Sequence, residues 1–381
     1  MAVLRRGRTW LVTVELGRDP ATGKRRRTYA TVATKRDARR EEARLRHQTA
    51  TGLDLEPTKI TVADYLHRWL AAVRPNLAPA TFLRYEGLLR HQVMPHIGFN
   101  RLSKLRPLHI QQLYARLRTA GRADGEGGLS ARTLLHVHRV LSEALSRAVR
   151  WQIVPRNVCK DVEAPHPRRA EMQALSPEEA RRLLEAAQAD NSVLGDAVIV
   201  GMHSGLRLGE LLGLNWADVD FDQRRVTIRR TLQYLPRQGT VHREPKTVRG
   251  NRTVPLGATA LSALRRLRRR QLEERLAVGP SYEDRGLVFT DPRGKSIPPY
   301  RLSQRFAGLV RRAGLPPMRF HDLRHTHATL LLARGVHPKV VSERLGHASI
   351  AITLDVYSHV LPTLQEEAAR DLDAWLSGQA Q

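Results

Sequence analysis

Between Thr61 and Val154 apolar residues recur at helical spacing, and that stripe constrains the fold more than any other feature of the sequence. Val62, Tyr65, Leu66, Trp69 and Leu70 follow Thr61, a residue suited to cap a helix N-terminus. Pro79 and Thr81 open a second stripe of Phe82, Tyr85, Leu88 and Leu89. Arg106-Pro107-Leu108 starts a third, carried by Ile110, Leu113, Tyr114 and Leu117. After the Gly-rich stretch from Gly121 to Gly128, Ser130 caps a longer helix bearing Leu134, Val137, Leu141, Leu145 and Ala148. Short helices following one another this closely predict a compact all-α domain.

The flanking segments read differently. Thr9 to Leu16 and Arg27 to Val32 are strand candidates around a turn at Asp19-Pro20-Ala21-Thr22-Gly23-Lys24, and Lys35 to Gln48 reads as a charged helix. Three prolines between Pro155 and Arg169 mark a linker. Ser176-Pro177-Glu178-Glu179 then starts a new helical run. Arg225 to Leu232 alternates like a strand, and Val241 to Pro245 with Arg252 to Leu256 completes one small antiparallel sheet. The predicted fold class is multidomain, mainly α with small antiparallel β-sheets. The predicted divisions are a β-rich domain with a helix and linker (1–57), a helical domain (58–155), a linker (156–173), an α+β domain (174–362) and a C-terminal helix or tail (363–381). In that tail Leu364, Ala368, Leu372 and Leu376 recur every four residues.

Charge narrows the function. The 381 residues include 64 Lys and Arg against 37 Asp and Glu, a formal net charge of +27. Such a field favours a polyanion, with nucleic acid first and an anionic membrane surface second. The basic residues are spread across the domains rather than gathered on one amphipathic helix, which disfavours the membrane. No stretch approaches the roughly 18 apolar residues of a spanning helix, and the N-terminus lacks the features of a secretory signal. One cysteine, Cys159, excludes an intramolecular disulfide and a thiolate zinc site, so a reducing, cytoplasmic setting is expected.

Five short segments of the third domain concentrate reactive groups: His203-Ser204-Gly205-Leu206-Arg207-Leu208-Gly209-Glu210, Pro245-Lys246-Thr247, His321-Asp322-Leu323-Arg324-His325-Thr326, Leu345-Gly346-His347, and Asp355-Val356-Tyr357-Ser358-His359. Each alone is a weak signal, because an Arg beside a Glu is usually a solvated pair and a lone His is usually structural. Their order and spacing together are specific. His321, His325 and His327 also have the look of a metal cluster, but no acidic ligand set accompanies them and the arginines would repel a cation. Arg265 to Arg270 reads as a solvated helix face.

These segments resemble the tyrosine recombinase, or phage integrase, family. Gly205-Leu206-Arg207-x-Gly209-Glu210 is similar to its first arginine motif, and His321-x-x-Arg324-His325 to its H-x-x-R box. Leu345-Gly346-His347 resembles the following L-G-H element. Tyr357 falls ten residues later, where the family places its nucleophile, and Lys246 matches its β-hairpin lysine. Ser204, Gly250 and Val158 depart from the residues common at those positions in the family, and none of them is a reactive group. The helical segment resembles the family's core-binding domain, and the first strands its small arm-binding domain.

The resemblance implies a site-specific recombinase that cleaves DNA through a 3′-phosphotyrosyl bond. Arg207 and Arg324 would hold phosphate oxygens with planar forks. Tyr357 would attack, His321 would take a proton, His347 would bond the phosphate, Lys246 would protonate the leaving 5′-oxygen, and Glu210 would steady Arg207. No cofactor and no metal is implied. Double-stranded attachment-site DNA, a homotetramer on that DNA and a directionality or DNA-bending factor are the implied partners. The family's C-terminal segment docks on a neighbouring protomer. The alternatives are a chromosome-resolution or transposon recombinase, or a non-catalytic DNA-binding protein of the same fold.

Overall fold

The computed structural model describes residues 2–18, 25–50, 59–122, 124–167, 173–236, 238–243, 250–357, 369–370, 372–373 and 376–377. Backbone contacts divide the chain into two compact units, Met1–Arg169 and Ala170–Gln381. The overall class agrees with the sequence reading: mainly helical, with small antiparallel sheets.

Unit 1 begins with three antiparallel strands, β1 (Ala2–Arg6), β2 (Thr9–Arg18) and β3 (Arg25–Val32), in the order β1-β2-β3. Helix α1 (Lys35–Ala50) packs on them, with Ala38 and Val12 fully buried between the layers. The Lys35 ammonium lies 5.6 Å over the Trp10 ring.

The helical stripes appear where spacing predicts them. They form α2 (Val62–Val73), α3 (Pro79–Leu88), α4 (Met94–Ile97), α5 (Pro107–Ala120) and α6 (Ala131–Arg150), with a π-helical turn, Leu89–Val93, joining α3 to α4. Thr61 caps α2 reciprocally with Asp64, and Ser130 accepts from Thr133 N at the start of α6. The stripes converge on one core that buries Tyr65, Trp69, Leu113, Leu141 and Leu145. Buried Tyr65 donates its hydroxyl to Ala144 O at 2.6 Å. Asn157 closes this core. Its amide donates to Ser142 O, Ser142 Oγ and Ser146 Oγ, and its carbonyl accepts from Cys159 N.

Unit 2 starts at α7 (Pro177–Asp190), where Ser176 and Glu179 cap reciprocally. Helices α8 (Val193–Ser204) and α9 (Leu208–Leu212) follow. The single predicted sheet is two. β4 (Val219–Asp220), β5 (Arg225–Ile228) and β8 (Arg252–Pro255) form one, and β6 (Thr231–Leu235) with β7 (Gly239–Arg243) forms the other. The alternation of Arg225 to Leu232 is interrupted because Arg229 and Arg230 turn to buried Asp218, at 3.6 and 3.7 Å. Helix α10 (Ala258–Val278) is not a merely solvated basic face. Arg266 and Arg270 bind buried Asp196 of α8, and Arg265 and Arg268 lie over the rings of Phe221 and Trp216. Helices α11 (Pro299–Arg312), α12 (Asp322–Ala333), α13 (Pro338–Leu345) and α14 (Ile350–Tyr357) complete the described unit. No helix among the described residues is long and apolar enough to cross a membrane. The predicted C-terminal stripe lies mostly outside the described residues, although Leu372 and Leu376 are described and exposed.

Asn157→Ala removes an amide that ties the start of the linker to α6. The loss is expected to be about 2 kcal/mol, since buried partners are left unpaired. It should appear as weakened hydrogen-exchange protection of the α6 amides, with those of α8 unchanged.

Candidate active site

Helix α8 stops at Gly205, which takes a left-handed conformation (φ 66°). A side chain there is doubly excluded, because its Cβ would lie 2.6 Å from His327 Cδ2 and 2.8 Å from Leu345 Cδ2. The chain turns through Gly205 and Leu206 and sets Arg207 at the N-cap of α9. Glu210, one turn on, accepts from Arg207 N at 3.0 Å and from Arg207 Nη1 at 2.6 Å. One carboxylate thus caps the helix and holds the guanidinium.

Glu210 is 4% exposed and meets a second guanidinium. Arg252 at the start of β8 donates Nη2 to Oε2 at 2.8 Å and Nη1 to Oε1 at 3.2 Å. Burial alone would raise this carboxyl's pKa. The Arg252 hydrogen bonds and the charges of Arg252 and Arg207 outweigh it and hold the pKa at about 2.

Arg324 stands in the first turn of α12 and is 2% exposed. Its Nη1 donates to Gly205 O at 2.9 Å and its Nη2 to Leu345 O at 2.6 Å. Arg207 Nη2 reaches the next carbonyl, Gly346 O, at 3.4 Å. Gly346 ends α13 with φ 65°, and His347 follows it. The structure therefore brings Arg207, Glu210, Arg324 and His347 together. An open cleft of about 470 Å³ adjoins them, lined by Arg252, Ser342, Gly346, His347, Ser349 and Ile350.

The histidines here are neutral at pH 7. His347 has its pKa drawn down to about 4 by partial burial and by the charges of Arg324 and Arg207, and its Nδ1 lies 2.8 Å from the Thr353 hydroxyl. His321, at the N-cap of α12, keeps an exposed face. The packed remainder of its ring, His325 and Arg324 lower its pKa to about 4. The rings of His321 and His325 meet edge to face at 5.0 Å. His327 faces elsewhere. Its Nε2 accepts from Arg344 Nε at 3.0 Å, so its Nδ1 carries the proton and donates to Met202 O at 2.9 Å. The three histidines therefore do not converge as a ligand set, and among the described residues no three metal-ligating side chains cluster.

Tyr357 is the last residue of α14 and is placed by its backbone alone. Lys246, Ser358 and His359 lie outside the described residues. Sequence reading missed Arg252, Arg344 and Thr353, and weighed His327 only as a metal ligand. Arg252 carried one available signal, its position just ahead of Val254-Pro255-Leu256 after the predicted hairpin.

A small sheet and a helical core, followed by an α+β unit that gathers arginine forks and neutral histidines near a tyrosine-terminated helix, fit a DNA strand-transfer enzyme. The chain belongs to the phage integrase family of tyrosine recombinases. That family matches residues 173–363, and the phage integrase N-terminal SAM-like domain matches residues 61–118. The protein is a site-specific DNA recombinase that cleaves and rejoins DNA. It is 31% identical to a "Tyrosine recombinase XerC-like" protein of Caldanaerobacter subterraneus, covering 95% of both chains. It is 27% identical to the ICEBs1 integrase of Bacillus subtilis, covering 95% of this chain and 96% of that one. In fold it is similar to the Tn1549 transposon integrase solved with circular intermediate DNA (TM-score 0.68, 23% identity), covering 82% of this chain and 99% of that one. It is also similar to a lambda integrase tetramer bound to a Holliday junction (TM-score 0.59, 17% identity, 93% of both chains).

His327 generates a pH prediction. Burial and the Arg344 charge lower its pKa to about 3, below the roughly 6.5 of an unfolded histidine. Between these values the unfolded chain binds a proton that the folded chain does not. Its contribution to stability is complete above pH 6.5 and falls as pH drops, by up to about 1.4 kcal/mol per pH unit for one site. Urea unfolding between pH 7.5 and 5 should show stability falling toward acid with a slope to which His321 and His347 also contribute, and His327→Asn should flatten it by about one proton.

Proposed function

We propose that this protein integrates and excises a mobile element, using Tyr357 as nucleophile and the Arg207–Arg324–His347 cluster as the seat of the scissile phosphate. The observation that carries this reading is convergence: Arg324 and Arg207 bond the successive carbonyls of Leu345 and Gly346, next to His347. The arginine forks supply charge stabilisation at the non-bridging oxygens. Tyr357 Oη attacks phosphorus and gives its proton to neutral His321, whose pKa of about 4 leaves it free to accept one. The P–O5′ bond breaks as Lys246 protonates the 5′-oxygen, leaving a 3′-phosphotyrosyl bond. Attack by a 5′-hydroxyl reverses these steps, so rejoining needs no external energy source.

On this reading residues 58–155 bind the core site, residues 174–362 carry the chemistry and residues 1–57 bind separate arm sites. The protein acts in the cytoplasm as a homotetramer on paired attachment sites, aided by a directionality or DNA-bending factor. One observation favours an element integrase over a chromosome resolvase, the basic three-stranded sheet before the helical domain, and the full-length likeness to the ICEBs1 integrase accords with it.

Tyr357→Phe should bind a nicked duplex taken from DNA flanking the gene as the unaltered protein does, and form no covalent adduct. An SDS-stable adduct on that variant overturns the nucleophile assignment. Deleting residues 1–57 should preserve core-site cleavage and impair integration; integration at an unchanged level removes the arm-binding role.

A further inference from the structure

We propose that Arg252 is a positioning residue for strand transfer: it divides Glu210 between two guanidiniums, so that Arg207 keeps N–H groups free for phosphate, and it anchors the turn that presents His347. This rests on the reading of Arg207 and His347 as phosphate ligands.

The two arginines that share Glu210 are unlike in exposure. The Arg207 side chain is 42% exposed, whereas that of Arg252 is 8% exposed. Every guanidinium nitrogen of Arg252 is engaged: Nε on Arg344 O at 2.8 Å, Nη1 on Glu210 Oε1 and Gly250 O, and Nη2 on Glu210 Oε2. Arg252 is therefore spent inside the protein. Its fork takes both carboxylate oxygens and leaves Arg207 a side-chain contact to Oε1 alone.

Without Arg252 the carboxylate would be open to Arg207 as a bidentate partner. That pairing is the favoured geometry for Arg and carboxylate, and it would turn toward Glu210 the N–H groups that a phosphate needs. The second arm of Arg252 acts on the backbone. Arg344 O, Leu345 O and Gly346 O are consecutive, and they accept from Arg252, Arg324 and Arg207 in turn. Arg252 takes the first of the three and sets the turn for the other two. A lysine keeps the charge but lacks the fork, so it cannot chelate Glu210 and hold Arg344 O together.

The test uses full-length Arg252→Lys, Arg252→Met, Glu210→Gln and the Arg252→Met/Glu210→Gln double variant. Each is given the nicked duplex that the unaltered protein cleaves. Single-turnover adduct formation yields a rate constant and an amplitude, with duplex affinity and melting temperature measured beside them. A merely structural role lowers the amplitude through loss of folded protein. Positioning lowers the rate constant of the molecules that do react. Arg252→Met is expected to slow that rate about 100-fold with duplex affinity within about twofold, because small displacements of reacting groups cost that much. Arg252→Lys should fall in between and remain folded, which keeps the test decisive if the methionine variant melts. The double variant should be far less impaired than the product of the single effects. Unaltered rate constants in folded Arg252→Lys and Arg252→Met, or effects that simply multiply, overturn the proposal. Tyr357→Phe run alongside separates the two readings: an adduct on it sinks the site assignment whatever the Arg252 variants show.

Discussion

Three consecutive backbone carbonyls hold the site together. A helix leaves its last carbonyls without intrahelical partners, and they carry the negative end of its dipole. At the end of α13 those of Arg344, Leu345 and Gly346 face guanidiniums from β8, from the first turn of α12 and from the N-cap of α9. Three segments separated widely in sequence are thereby fixed to one helix terminus. Like charges brought this close would repel; the carbonyl dipoles and the Glu210 carboxylate offset that repulsion. A planar fork with several donors suits the task, since each guanidinium can serve a carbonyl and another acceptor at once.

Burial and the positive cluster together set the state of the histidines around it. Burial lowers both His347 and His321; Arg324 and Arg207 add to it at His347, and His325 and Arg324 at His321, so both rings are neutral. A phosphate seated between the arginines reverses much of that field, since an opposite charge nearby favours the protonated imidazole. On the proposed reading of the site, phosphate binding and the proton affinity of these histidines would therefore be coupled.

The parts of the fold written in local pattern were legible. The stripes at Val62–Leu70 and Leu134–Ala148, and the caps at Thr61, Ser130 and Ser176, depend on neighbours three or four residues away. The candidate site was legible as an order of motifs. The structure gathers Arg207, Glu210, Arg324 and His347, sets His321 beside His325 at the start of α12, and ends α14 at Tyr357. Arg252 and Arg344 were not legible, because their partners are a distant carboxylate and backbone carbonyls, and a carbonyl leaves no mark on residue identity. The basic run Arg265 to Arg270 misled for the same reason: its partner Asp196 lies on another helix. The division of the predicted sheet at Arg229–Arg230 turned on Asp218, again a tertiary partner.

The backbone also explains why two glycines stand where they do. Gly205 and Gly346 both adopt left-handed φ, 66° and 65°, and each ends a helix. Each also offers its carbonyl to a site arginine, Gly205 to Arg324 and Gly346 to Arg207. The sharp turns place these acceptors, and the missing side chain at Gly205 lets Leu345 and His327 pack against it. Behind that contact His327 holds Arg344, whose own carbonyl takes Arg252. Turn geometry, a buried imidazole and the orientation of the arginines thus form one connected structure, linking His327 to Arg207 through Arg344, Arg252 and Glu210.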